Sequence, residues 1–186
     1  MSTSSGEGTG THFHEFDFSE FWDDNPYSLS TYVEPAPSHD LVASVQDELG
    51  GYRLPGAYVE LARIHNGGIV RRCCYPTHEP TGWAEDHIEI TGLYAIGRTA
   101  HHSLCGDTGS RFMQDEWGYP TWGVAIADTP TAGHEQIMLD YRECGRQGEP
   151  QVVYVDQESD YRVTLLAPDF ITFIRGLVPR DAFAES

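Results

Sequence analysis

The stretch WGVAIADTPTAGHEQIMLDYRECGRQGEPQVVYVDQESDYRVTLLAPDFITFIRGL, residues 122–177, decides the fold. Four runs rich in β-branched and apolar residues, at 122–128, 136–142, 151–155 and 161–166, alternate with short segments carrying Pro, Gly and charge. That pattern reads as successive strands. The last two are joined by Asp156-Gln157-Glu158-Ser159-Asp160, a polar hairpin connection. Pro168 then starts a helix in which Phe170, Phe173, Ile174 and Leu177 follow i, i+3, i+4 and i+7, one apolar face.

Working outward toward the N-terminus, Asp107 to Trp117 reads as a short helix closed by Gly118, and 87–96 alternates well enough for one or two strands. Residues 69–73 read as a short strand, and 76–85 as a loop carrying Pro76, Pro80 and Trp83. Leu54-Pro55 opens a helix, with Pro55 at the first helical position, where a missing N–H costs nothing. Tyr58, Leu61, Ala62 and His65 mark its buried side, and Asn66-Gly67-Gly68 ends it, since Gly and Asn readily take the left-handed conformation. Ser38 caps an earlier helix with Asp40 in its first turn, Leu41, Val45 and Leu49 on one face, and Gly50-Gly51 at its end. Helices first, a strand meander next and a closing helix predict an α+β fold. It is an antiparallel β-sheet of about five to six strands with two N-terminal helices, a short middle helix and a C-terminal helix packed on it. Residues 1–16 are expected to form a flexible tail, 17–37 an irregular aromatic and acidic arm (Phe18, Phe21, Trp22, Tyr27), 38–178 the domain, and 179–186 a C-terminal tail.

These blocks resemble the SMI1/KNR4 family, also called the SUKH superfamily. The likeness is carried by Leu54-Pro55 with Tyr58, Asn66-Gly67-Gly68, Trp117-Gly118-Tyr119-Pro120, Ile137-Met138-Leu139-Asp140-Tyr141 and Leu166-Ala167-Pro168-Asp169-Phe170, in that order, over roughly residues 38 to 178. The resemblance implies an antiparallel α+β fold with no recognised catalytic centre. For bacterial members it implies immunity proteins that neutralise toxins of contact-dependent and polymorphic systems, many of them nucleases. For fungal relatives it implies interaction hubs in cell-wall and signalling pathways. The arm at 12–34 lies outside the family signature and takes no role from it.

Composition narrows the function classes. The 186 residues suit one domain, and 39% hydrophobic with 12% aromatic content supplies a core. No run approaches the roughly 18 apolar residues of a membrane span. Met1 to Thr11 has neither a basic nor an apolar segment, so no signal peptide is expected and the location is expected to be cytoplasmic. Cys73, Cys74, Cys105 and Cys144 show no C-x-x-C spacing and are expected to be reduced thiols. Eleven Lys+Arg against 29 Asp+Glu leave a formal charge of −18. Such a surface repels nucleic-acid phosphates and anionic membranes and attracts a basic protein, a toxin domain among the candidates.

The chemical motifs weigh against turnover. His87-x-Glu89 has the H-x-E form of zinc deaminases but lacks the later P-C-x-x-C that completes the metal site. There is no H-E-x-x-H, no phosphate-cradling G-x-x-x-x-G-K-[ST] and no G-x-S-x-G. Gly106 and Gly109 flank a helix start that would suit an anion, except that Asp107 stands between them. His134, Asp128 and Asp140, or His101 and His102, are the candidate metal ligands, although alternation within its strand makes Asp140 a better partner for an Arg or for backbone N–H groups. Cys105 or Cys144 with His102 or His134 would make a nucleophile and base. The expectation is no enzyme, no cofactor and no metal.

Candidate partner-binding residues are those that set a large aromatic among acids. They are Trp83, Glu85, Asp86 and His87 in the loop, Asp107, Trp117 and Tyr119 (with Trp122) around the middle helix, Asp128 and His134 near strand ends, and Asp156 and Glu158 in the hairpin. The leading reading is an immunity-type protein that blocks a basic, nuclease-type toxin by stoichiometric binding. The alternatives are a general interaction module, motivated by the arm at 12–34, and a small metal-binding enzyme.

Overall fold

A computed structural model of the chain describes residues 12–183. It is an α+β fold built on a six-stranded antiparallel sheet, with strand order β1 (Gly68–Ile69), β4 (Gly92–Leu93), β5 (Gly123–Asp128), β6 (Glu135–Asp140), β7 (Gln151–Asp156), β8 (Arg162–Ala167). A separate two-stranded sheet pairs β2 (Cys74–Pro76) with β3 (His87–Glu89). The strand expected over 69–73 is broken, because the backbone N–H of Val70 bonds to Thr91 and that of Arg71 to Phe21 before β2 begins. The six strands of the main sheet match the expected five to six, and β2 and β3 form a separate two-stranded sheet.

The helices begin and end as their caps dictate. In α2 (His39–Glu48) the Ser38 hydroxyl accepts from the Leu41 N–H, and Gly50 and Gly51, at φ 107° and 80°, turn the chain away. Pro55 stands at the N-cap of α3 (Gly56–Ile64), one residue ahead of the expected position, and Ala57, Tyr58, Leu61 and Ala62 form its buried face. In α4 (Ser110–Trp117) the C-terminal residue passes to Gly118 in the left-handed conformation. In α5 (Phe170–Gly176) Asp169 caps the start, and Phe170, Phe173 and Ile174 are buried. A further helix, α1 (Pro26–Thr31), lies in the arm expected to be irregular, with the Asn25 side chain accepting from Ser28.

One face of the sheet is covered by α5, which packs on β7 and β8 and against α3, with Tyr58 against Phe170 at a centroid distance of 4.9 Å. The other face carries α4 along β5, held by Gln114, whose amide donates to the carbonyls of Pro120 and Gly123. Beyond α4 this face is open, and Leu165 of β8 is 56% exposed.

The segment expected to be a loose tail and arm is part of the core. Phe13 and Phe21 are buried and cluster with Phe16 and Phe18, and Trp22 stacks on His65 at 4.1 Å. Aromatic rings at this density bury too much apolar area to stay in water. At the other terminus, residues 180–183 also pack, with Phe183 stacked on His87 at 4.1 Å and Arg180 Nε donating to Glu89 at 3.0 Å. Residues 1–11 and 184–186 of the expected tails lie outside the described residues.

Asn66 ties these parts together. Its buried amide donates to the Pro35 and Ile96 carbonyls at 2.9 and 3.0 Å and accepts from the Ile96 N–H at 2.8 Å. The arm, the end of α3 and the exit of β4 thus meet on one side chain. Asn66→Ala strands the buried C=O and N–H of Ile96 and releases the Pro35 carbonyl, so urea unfolding should show a loss of about 1–3 kcal/mol. An unchanged midpoint would contradict this reading.

Candidate functional site

The site is created by a defect in β5. Ala125 pairs with Met138, Ala127 with Ile137 and Asp128 with Gln136, so Ile126 is an extra residue with no opposite number on β6. Strict alternation from Gly123 and Ala125 would point residue 127 to the α4 face and Asp128 away from it. The bulge reverses this parity, and Asp128 projects beside Gln136 on the α4 face. The Ile126 carbonyl is taken by the N–H of Tyr94 at 2.8 Å.

Asp128 and Gln136 form the floor of a cleft of about 300 Å³. Phe112, Met113 and Trp117 of α4 make one wall, and the 129–134 turn makes the other. That turn approaches α4 closely only because residue 133 is Gly: at φ 97°, a Cβ there would lie 3.1 Å from Trp117 and 3.4 Å from Met113. Tyr94, His102 and Thr108 complete the lining.

The polar groups in the cleft are held rigidly. Asp128 Oδ2 accepts from the Tyr32 hydroxyl at 2.7 Å and Oδ1 from the Gly92 N–H at 3.1 Å. Burial pushes its carboxyl up from 3.8 to about 6, against the lowering effect of those two bonds. His102 lies flat on Tyr32 at 4.2 Å with Thr108 Oγ1 3.0 Å from Nδ1. Burial, aided by the neighbouring His101, lowers its pKa to about 4, so the ring is neutral at physiological pH. Gln136 Oε1 accepts from the Tyr94 hydroxyl at 2.6 Å. Its amide nitrogen has no protein acceptor among the described residues, although the residue is 1% exposed.

The residues singled out from sequence divide into three groups. Trp117 and Asp128 line the cleft, and Asp107 is exposed beside it, 3.5 Å from His101. Trp83, Glu85, Asp86, Glu158 and His134 lie at the same end of the sheet, where β5 finishes, β6 starts and β7 finishes. His134 packs edge-on against Trp117 at 5.3 Å and sits 3.1 Å from Glu158. The 77–86 loop reaches this end through Gly82, where a Cβ would lie 2.8 Å from both the Glu135 and Asp156 carboxylates.

The third group is buried or half-buried. Tyr119 is buried with its hydroxyl donating to the Gly133 carbonyl, because the turn beside α4 closes over it. Asp156 is buried and spends its oxygens capping the 157–159 turn, accepting from the N–H groups of Glu158 and Ser159 and from the Ser159 hydroxyl. His87 is wedged between Asp86 and Phe183. Trp122 is separated from Trp117 and lies under the Arg142 guanidinium at 4.2 Å.

The candidate metal and nucleophile sets do not assemble. Asp128 and Asp140 stand at opposite ends of the β5–β6 pair, since Asp128 faces Gln136 while Asp140 faces Gly123. Asp140 instead accepts from Arg142 through both oxygens and from its backbone N–H, as its alternation suggested. Among the described residues no group of three or more His, Cys, Asp or Glu side chains is placed to share a metal ion. The Cys105 thiol is pushed up by burial and by the Glu48 carboxylate against it, the opposite of what a nucleophile needs. Among the described residues no helix is long and apolar enough to cross a membrane.

Sequence reading missed Tyr32, Tyr94, Gln136 and the apolar wall of Phe112 and Met113. The one available signal was the polar pair Glu135-Gln136 at the head of an otherwise apolar strand.

A family model described as the SMI1 / KNR4 family (SUKH-1) matches residues 36–176, which span α2 through the end of α5. No curated protein matches the chain.

A raised Asp128 pKa means that the native state binds this proton more tightly than the unfolded chain does. The carboxyl therefore contributes stability below about pH 4 that is lost as the pH rises through about 6. A ¹³C titration of the Asp128 carboxyl should give a midpoint near 6. Tyr32→Phe, which removes a bond favouring the carboxylate, should move it higher. A midpoint in the ordinary range near 4 would contradict the burial described.

Proposed function

The chain belongs to the SMI1/KNR4 (SUKH-1) family, and from that membership together with the acidic end of its sheet we propose that it is a protein-binding domain of the immunity type, which covers a basic toxin by stoichiometric binding and without turnover. The observation that carries the reading is the distribution of unpaired charge. Glu85, Asp86, Asp107, Asp128 and Glu158 gather at one end of the sheet, and among the described residues none is paired with an arginine. At the far end, Asp140 is already neutralised by Arg142, and Arg53 and Arg146 lie close by. The end where β5 finishes therefore carries the larger set of acids without an arginine partner, with Arg162 the exposed cation of β8 there and Glu143 and Glu149 the exposed acids at the far end.

An exposed Trp83 beside these acids and a half-buried Trp117 supply the aromatic anchors that such interfaces use. A surface on the order of 1,600 Å² in total is the usual size for specific binding and fits on a domain of this length. The −18 charge accelerates encounter with a basic partner, most strongly at low salt. A nuclease domain, whose cleft is basic because it holds phosphates, has the complementary charge.

The tagged protein should retain one basic partner from its host at low salt, in a one-to-one complex. Binding should weaken about tenfold or more on reversing Glu85 and Glu158 to Lys, and again on raising salt toward 0.5 M. Co-expression should relieve the growth arrest caused by that partner. A complex indifferent to salt and to both reversals would contradict the charge-based reading, and persistent growth arrest would contradict the immunity role.

A further inference from the structure

The cleft between α4 and the β5 bulge is built to hold something more specific than a diffuse positive charge. Its walls are apolar, from Phe112, Met113 and Trp117, and its floor holds one half-buried carboxylate. Asp128 has no cationic partner among the described residues. A carboxylate in a low-dielectric setting without a counter-ion is costly, and a cation brought to it regains that cost.

The hydrogen bonds already made by Asp128 define what it can still accept. Oδ2 receives the Tyr32 hydroxyl and Oδ1 the Gly92 N–H. Each oxygen keeps one acceptor position. Two acceptor positions on one carboxylate suit a planar guanidinium fork better than a single ammonium. Trp117 on the wall supplies an indole ring, the side chain that best attracts a cation placed over it, and His102, neutral and stacked on Tyr32, adds no repelling charge. Gln136 lines the cleft beside Asp128, almost wholly buried, with Oε1 accepting from Tyr94 and no protein acceptor for its amide nitrogen among the described residues. Turning that amide over lets the Tyr94 hydroxyl donate no longer but accept from Nε2, and directs Oε1 at an incoming N–H.

We propose that this cleft receives one arginine side chain of the basic partner, its aliphatic stem between Phe112, Met113 and Trp117 and its guanidinium paired bidentately with Asp128. This rests on the partner-binding reading above and names the group that the partner must present. The acids around it (Glu85, Asp86, Asp107 and Glu158) then act as the surrounding field, while Asp128 acts as the one specific contact.

The test uses n-butylguanidinium as the probe, with n-butylammonium and neutral n-butylurea as its matched relatives, added to the intact chain at neutral pH. Binding is read from the NMR shifts of the Met113 methyl and the Trp117 indole N–H. The guanidinium should shift both signals saturably, the ammonium should bind more weakly, and the urea should leave them unmoved. Asp128→Asn should weaken guanidinium binding about tenfold, the loss of one charge-assisted pair. Trp117→Leu, which keeps an apolar wall but removes the π face, should weaken it severalfold, read from the Met113 methyl alone. It stands as the second variant should Asp128→Asn perturb the fold. No saturable shift with the guanidinium, or equal shifts with the urea, would overturn the proposal. So would ammonium binding as tight as guanidinium, which would reassign the cleft to lysine. These outcomes do not depend on the partner: a captured basic protein with no guanidinium response leaves the partner reading standing and removes only the cleft assignment.

Discussion

One extra residue, Ile126, decides which way the functional face of this protein points. Without the β5 bulge, Asp128 would lie on the opposite face of the sheet from Gln136 and α4. With it, the carboxylate is presented on the α4 face and is caught by Tyr32 from the arm and by the Gly92 N–H from β4. A bulge costs ladder hydrogen bonds and persists where the re-aimed side chain has a use. Here the Tyr94 N–H recovers the Ile126 carbonyl, so the defect leaves that buried group paired.

The same geometry explains why the arm belongs to the domain although the family match begins at residue 36. Tyr32 supplies both the hydroxyl on Asp128 and the ring under His102. Asn66 holds the arm in register through Pro35, and Trp22 covers the end of α3 by stacking on His65. The arm thus shapes the cleft floor, and its aromatic residues, Tyr27 apart, are buried or half-buried against the domain.

Much of the architecture was legible because local chemistry and global fold agree. Ser38, Gly50-Gly51, Asn66-Gly67-Gly68 and Gly118 mark helix boundaries by capping physics, and the 122–177 meander follows from alternation and turn residues. Two kinds of feature were not legible. The broken strand near residue 70 and the packed arm depend on hydrogen bonds and ring contacts between segments far apart in sequence, such as Arg71 with Phe21. The site depends on the bulge, which shifts parity without leaving a Gly or Pro as a marker. Trp117 and Asp128 were reachable as an aromatic and an acid beside turns. Tyr32 and Gln136 were not, because only the fold brings residues 32, 94, 128 and 136 together. Asp156 and Tyr119 looked exposed from their turns, but capping and the Gly133 contact bury them.

The central claim is that a basic protein meets the end of the sheet where β5 finishes and β6 starts. Zero-length carbodiimide coupling tests it directly, because the reagent joins carboxylates to amines and this chain contains no lysine with which its own acids could react. Cross-linked peptides from the complex should place partner lysines on Glu85, Asp86, Asp107 and Glu158. Cross-links concentrated instead on Asp40 and Asp47 of α2, or on Glu143 at the far end of β6, would contradict the account.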